Sequence, residues 1–248
     1  MIMLNVSNWN LKHPKKVKDL LEAQAKLEEA VHAPAPSNDG FLSAETLEAA
    51  IDEHTRFALY NGDHRRQAIN LAQSTIERQL KAEVNNNLDN YVKQVEAIFN
   101  PAAEAYAEAV EQLPSSKFTA EDVLAFSESQ REAYHTAREA AGVISWTAGW
   151  LHDLLDLPGQ SLGNWGKWFL VCAPESVAGL TCLFLEEEHT GEKGYDALLP
   201  PLLRALREGA ELRVATPAQA RSEAEKLEAE RQNMSNEAWL TLRRNLKL

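Results

Sequence analysis

The sequence predicts a mainly α-helical protein, with a long helical hairpin or coiled-coil-like body and a small α/β patch of two or three strands near the C-terminal third. Ala, Leu and Glu dominate the composition while Ile and Val are sparse, which favours helices. Apolar residues recur at steps of three and four over long stretches before residue 142, as on the buried face of a helix. Proline and capping residues stand where such stretches begin, which indicates several separate helices.

The chain is expected to open with an arm formed by residues 1–13, in which apolar and polar residues alternate as in a strand. A first helix follows from Pro14, because proline suits the first helical position. Residues 33–40 are rich in proline and small residues and predict a linker. Ser43 is then the expected N-cap of a second helix.

The longest predicted element is a single helix over residues 64–99. Its apolar residues form one continuous stripe, and a helix of this length spans roughly 50 Å. Such a rod needs a neighbouring helix or another chain along its side. Asn100-Pro101 predicts a break, after which a short Ala-rich helix runs over residues 102–113. Thr119 is expected to cap the next helix, which continues to Leu157 with a bend at Gly142.

A compact, Trp-rich α/β region is predicted for residues 143–216, after a helical body over residues 14–142. Four of the six tryptophans fall between residues 143 and 185. Three apolar runs have the length and composition of buried strands, and a short helix starts at Pro200-Pro201. The predicted strands cover residues 168–172, 180–185 and 211–215.

Two C-terminal helices are predicted over residues 217–248. Thr216 and Gln219 form a capping box with proline at the first helical position, which is a specific start signal. Ser235 is the expected N-cap of the last helix, which carries Trp239 beside basic residues.

The charge balance restricts the partners. Lys and Arg number 25 against 37 Asp and Glu, so the formal net charge is −12, which argues against binding nucleic acid or an anionic membrane. The apolar stretch 168–185 is interrupted by Pro174 and Glu175 and is too short for a membrane span. With two cysteines and no signal-peptide pattern at the N-terminus, a cytoplasmic or virion-associated location is expected.

No motif for cofactor binding or catalysis stands out. The sequence has no Gly-rich phosphate loop, no Gly-x-Ser-x-Gly elbow, no His-Glu-x-x-His and no zinc-type cysteine pairs. We therefore expect no cofactor and no catalytic residue.

One short fragment is similar to an enzyme motif. His152 and Asp153 follow each other in an apolar helical stretch, and His135 lies upstream. This pair resembles the core of the HD-type metal phosphohydrolases, which are helical and hold a divalent metal with such residues. The resemblance implies a metal site at His135, His152 and Asp153. Alternatively, His152 and Asp156 form a local pair one helical turn apart.

Large aromatic and basic side chains are the candidates for partner binding, because Trp and Arg are enriched at binding hot spots. The tryptophans could also form a core between the helical body and the α/β region, and the C-terminal arginines could simply complement a helix dipole. The candidate residues are Trp9, Trp146, Trp150, Trp239, Arg243 and Arg244.

These observations predict a non-catalytic helical protein that works by interaction or assembly, through a protein partner or self-association. Acidic, Ala- and Glu-rich composition with a docking tail is similar to that of phage and virion assembly proteins. Two alternatives remain open. One is an HD-like metal-dependent phosphohydrolase, and the other is an acidic inhibitor or nucleic-acid mimic that binds a basic partner.

Overall fold

The computed structural model confirms the mainly α-helical class. The structure describes residues 11–31, 36–60, 62–114, 117–184 and 193–246. Most of the predicted arm and Trp9 lie outside these residues. The chain forms two compact units, one of residues 12–87 and one that begins at residue 88.

The unit of residues 12–87 is built on the packing of its first helix against its last. Its described helices are α1 Lys15–Val31, a 3₁₀ helix Asn38–Leu42, α2 Leu47–Tyr60 and α3 Asp63–Asn86. Val17 of α1 and Val84 of α3 are fully buried, and Lys16 forms an ion pair with Glu83. Residues 38–40 of the predicted 33–40 linker belong to the 3₁₀ helix, and residues 33–35 lie outside the described residues. The prediction of Ser43 as the N-cap of the second helix is wrong, because α2 begins four residues later, at Leu47.

The prediction of one long helix over residues 64–99 is wrong, because the helix ends at Asn86. The Asn87 side chain donates to the Glu83 carbonyl at 2.8 Å, and its backbone N–H bonds the carbonyls of Val84 and Asn85. Asparagine side chains compete for backbone hydrogen bonds in this way. The helix therefore ends at Asn86, although the apolar stripe continues beyond it. The next helix, α4, starts at Leu88.

Two long helices form the core of the second unit, α4 Leu88–Glu111 and α6 Glu128–Asp153. They make the most extensive contact of any element pair, and they bury Tyr91, Phe99 and Tyr106 on one side and Ile144 on the other. The predicted break at Asn100-Pro101 is also wrong, since α4 continues through Pro101. An internal proline costs about 3 kcal/mol, which the packing along α6 offsets.

The predicted helix from Thr119 is divided in two. A capping box of Thr119 and Asp122 starts α5 Ala120–Ala125, and a second box of Ser127 and Gln130 starts α6. Gly142 lies inside α6, and no break occurs there. The helix ends in a 3₁₀ turn, Leu154–Asp156.

The C-terminal part combines short helices with a two-stranded antiparallel sheet, which confirms the predicted strand patch. Its described elements are a 3₁₀ helix Lys167–Leu170, strand β1 Cys172–Ala173, α7 Val177–Phe184, α8 Lys193–Asp196, α9 Pro200–Arg207, strand β2 Glu211–Leu212, α10 Pro217–Gln232 and α11 Asn236–Asn245. Cys172 lies opposite Leu212, and Ala173 lies opposite Glu211.

Two of the predicted strands are corrected by the structure. Residues 180–184 belong to α7, which packs against α9 and α10, and most of 168–172 forms a 3₁₀ turn. The starts of α9, α10 and α11 are as predicted, with Thr216 in its capping box and Ser235 as an N-cap.

Candidate functional site

An open groove runs between α4 and the segment around β2, within the second unit. Its larger part has a volume of about 600 Å³, and an adjoining part of about 370 Å³ shares Ala107 and Leu206 with it. Small or aliphatic side chains line its interior, among them Ala103 and Leu212. We call this feature the α4–β2 groove. The α4 residues that line it extend from Glu96 to Glu111, a distance of about 22 Å along the helix.

The other wall of the groove is the outer edge of β2. The N–H of Arg213 donates to the Val171 carbonyl at 3.1 Å, and the N–H of Ala215 donates to the Leu170 carbonyl at 2.9 Å. Alternate residues of a strand direct their backbone groups to opposite sides. The N–H groups of Leu212 and Val214 therefore point away from β1, and no backbone acceptor among the described residues bonds them.

The charges around the groove are predominantly negative. Glu96, Glu104 and Glu211 line it, and the described residues provide no cation within 4.0 Å of their carboxylates. Arg213 also lines the groove and is paired with Glu223. The adjoining part is lined by Glu111 and by Arg207, which donates to the Pro114 carbonyl at 3.1 Å. Basic groups therefore fit this groove better than acidic ones.

A second candidate surface is the uncovered side of α2 in the unit of residues 12–87. Leu47 and Ile51, one helical turn apart, are 41% and 49% exposed, and Leu59 is 76% exposed. In a monomeric protein single exposed leucines are common. Here three large apolar side chains are exposed on one short helix, with Leu47 and Ile51 on one face and Leu59 about 80° further round.

The 3₁₀ helix before α2 covers the part of α2 that adjoins Leu47 and Ile51, since residues three or seven positions apart lie on the same helix face. Ala50 is buried, the ring centroids of His54 and Phe41 lie 4.4 Å apart, and His54 Nε2 is 3.3 Å from the Ser37 carbonyl oxygen. These contacts lie beside Leu47 and Ile51, which stay partly exposed. His54 is thereby part of a local structural contact.

The predicted partner-binding residues on α6 have different environments. Trp146 is 59% exposed. Trp150 is half-buried, and its ring centroid is 6.5 Å from that of Tyr91. The two tryptophans therefore do not form one exposed pair, and Trp146 is the more accessible anchor.

The predicted residues on α11 form a separate, small surface. Trp239 is half-buried, and the Arg231 guanidinium lies 5.2 Å from its ring centroid. Arg243 and Arg244 are exposed in the last turn of α11, where cations complement the helix dipole.

The structure does not bring the three predicted metal ligands together. His135 and His152 lie on the same helix, 17 positions apart, which corresponds to about 25 Å along its axis. His152 and Asp153 are exposed at the end of α6, and partial burial raises the pKa of the Asp153 carboxyl. Among the described residues, no group of three or more metal-ligating side chains occurs.

The two cysteines are free and buried. Burial raises the pKa of Cys172 to about 12 and that of Cys182 to about 11. Both side chains are therefore neutral thiols near pH 7, the less nucleophilic form.

The residues of the α4–β2 groove were not predicted from the sequence. The only sequence signal is the run of glutamates and alanines in residues 96–111, which places small and acidic residues on one helix face. The opposite wall comes from residues 206–214, more than 90 positions later. No local pattern predicts that pairing.

Comparisons with known proteins give no relative. No protein-family model, no curated protein and no solved structure matches the chain. In the part of the chain that the structure describes, every helix is too short or too polar to cross a bilayer.

Proposed function

We propose that this chain is a non-catalytic helical protein that works through protein–protein contacts, and that its copies assemble through α2. The observation that carries the proposal is the exposure of three large apolar side chains of α2, those of Leu47, Ile51 and Leu59. This surface of α2 can face the same surface of a second copy across a two-fold axis. The proposed partner is a second copy of this chain, so assembly needs no other protein.

The exposed area sets the scale of the association. Fully burying one aliphatic side chain contributes about 1.5–3 kcal/mol, so burying the exposed fractions of these three contributes about 3–5 kcal/mol for each chain. A two-fold contact doubles this gain. The loss of freedom on association costs about 4–15 kcal/mol, so we expect a reversible oligomer rather than a permanent one.

The test is light scattering after size exclusion, at about 0.1 M and about 1 M salt. We expect an oligomer at both salt concentrations, because apolar contacts are not screened by ions. Ile51→Glu should give a monomer, because it places a charge in the apolar contact. A wild-type protein that is monomeric at every concentration tested would contradict the proposal.

The matched control is Leu71→Glu. Leu71 is 68% exposed on α3, so this variant introduces the same charge at another exposed leucine of the same unit. It should assemble as the wild type does. Equal loss of assembly in both variants would show that α2 is not the contact.

A further inference from the structure

We propose that the α4–β2 groove binds an extended basic peptide segment of a partner protein, which adds to the outer edge of β2 as a further strand. The site lies in the second unit and does not depend on assembly through α2. The argument rests on the strand edge, the dimensions of the groove and its charge.

The strand edge provides the backbone contacts. The N–H groups of Leu212 and Val214 point away from β1 and have no backbone acceptor among the described residues. An extended peptide can accept these bonds with its carbonyls and donate to the outward carbonyls of the same residues, as in β-augmentation. A helical ligand has no such groups to offer, because its backbone bonds are internal.

The groove has room for a short strand. The segment 210–214, which forms one wall, spans about 13 Å of extended chain. The α4 wall extends about 22 Å, which corresponds to six or seven extended residues at about 3.3 Å each. The interior side chains Ala103 and Ala107 are small, which leaves room for the side chains of an extended peptide.

The charge determines which peptide fits. Glu96 and Glu104 lie eight positions apart on the α4 wall, about 12 Å along the helix axis, and Glu211 lies on the strand side. Arg213, which lines the same part of the groove, is already paired with Glu223. Lysine or arginine at the alternate positions of the peptide would therefore meet carboxylates on both walls, while an acidic peptide would be repelled.

Two labelled peptides test the proposal with the full chain. They are the hexapeptides Val-Lys-Val-Lys-Val-Lys and Val-Glu-Val-Glu-Val-Glu, with blocked ends, followed by fluorescence anisotropy at low salt. We expect the lysine peptide to bind at least about tenfold more tightly than the glutamate peptide. Equal affinity for both peptides, or binding of neither, would overturn the proposal.

Charge variants locate the site. The triple variant Glu96→Gln, Glu104→Gln, Glu211→Gln should weaken binding of the lysine peptide by about tenfold. The matched control neutralises three exposed glutamates that do not line the groove, by Glu108→Gln, Glu132→Gln and Glu139→Gln. It changes the net charge equally and should leave the affinity within about twofold of the wild type. Equal weakening by both triples would mean that only the overall charge matters, and would refute the site.

A backbone variant tests the strand pairing. Leu212→Pro removes an N–H that points away from β1 and leaves the hydrogen bond from Arg213 to Val171 in place. An edge strand accepts proline at such an outward position. It should abolish binding of the lysine peptide while the helical circular dichroism is retained, and retained binding would exclude strand addition. If this variant does not fold, the charge variants decide. Ile51→Glu should bind the peptide as the wild type does, so failure of assembly and failure of the groove are distinguishable.

Discussion

Removing the hydroxyl of Tyr106 should destabilise the second unit, because it leaves a buried carbonyl without its donor. Tyr106 is fully buried in α4, and its hydroxyl donates to the Leu198 carbonyl. That carbonyl precedes Leu199, which has a left-handed backbone, and then Pro200 and Pro201, which have no N–H. The tyrosine is therefore the donor that satisfies a buried carbonyl at the start of α9.

Tyr106→Phe leaves this carbonyl without a partner at almost unchanged volume. A buried acceptor without a hydrogen bond costs about 1–3 kcal/mol, and we expect a loss of about 2 kcal/mol in the free energy of unfolding. For a unit of this size the loss corresponds to about 4–8 °C in Tm. Burial also raises the pKa of Tyr106 far above its usual value, so the phenol donates at every pH used for such measurements.

Urea unfolding followed by tryptophan fluorescence measures this loss. Five of the six tryptophans lie between residues 146 and 239, so the signal reports the second unit. Tyr134→Phe is the matched control. The Tyr134 hydroxyl donates to the Gly194 carbonyl at 3.2 Å, a longer hydrogen bond than that of Tyr106, so its removal should cost less. An unchanged midpoint for Tyr106→Phe, or a larger loss for Tyr134→Phe, would refute the reasoning.

Two further predictions concern close packing and pH. Gly194→Ala should destabilise the protein by about 1–3 kcal/mol, because a Cβ there would lie 2.7 Å from the Thr119 carbonyl oxygen. By contrast, Gly142→Ala should stabilise the protein by about 0.5–1 kcal/mol, since a Cβ there meets nothing within 4 Å. Thermal unfolding compares the two variants, and Tm shifts of the same sign would contradict the packing argument. The free energy of unfolding should fall as pH rises above about 9, because the unfolded thiols of Cys172 and Cys182 ionise there while the folded thiols retain their protons up to pKa values of about 12 and about 11. Urea midpoints at about pH 7.5 and about pH 10 measure this, and equal midpoints would contradict the burial of both thiols.

Helix starts were predictable because they depend on a few neighbouring residues. Thr216 and Gln219 form their capping box through contacts three positions apart, and Thr119 acts in the same way. The second box, Ser127 and Gln130, has the same sequence signature. The sequence therefore contains the signal for the break between α5 and α6.

Apolar runs were harder to interpret, since a short run does not distinguish a buried strand from a buried helix. Residues 180–184 illustrate this. Ser176 accepts the N–H of Gly179 through its hydroxyl at 3.1 Å and that of Leu180 through its carbonyl at 2.9 Å, so a helical start precedes the run. Packing of α7 on α9 and α10 then buries it on most sides.

The long helix was overpredicted for a related reason. The apolar stripe across residues 64–99 continues at steps of three and four on both sides of Asn87, and periodicity alone therefore predicts one rod. A single side-chain bond, from Asn87 to the Glu83 carbonyl at 2.8 Å, accompanies the end of the helix.

Neither candidate surface follows from local spacing alone. Helical spacing places His54 on the same face as Leu47 and Ile51, and the structure covers His54 while it leaves the other two partly exposed. The α4–β2 groove depends on which distant segments meet, and its carboxylates stand near one another only because residues 206–214 fold against α4. Long-range pairing of this kind has no local signature in a single sequence.

Hydrogen–deuterium exchange at two protein concentrations tests most directly whether α2 is an assembly surface. Over a concentration range of about 100-fold, the amides of residues 47–60 should exchange more slowly at the higher concentration. The amides of α9 should exchange at the same rate at both, and Ile51→Glu should abolish the concentration dependence in α2. Exchange of residues 47–60 that is the same at both concentrations would contradict the proposed function.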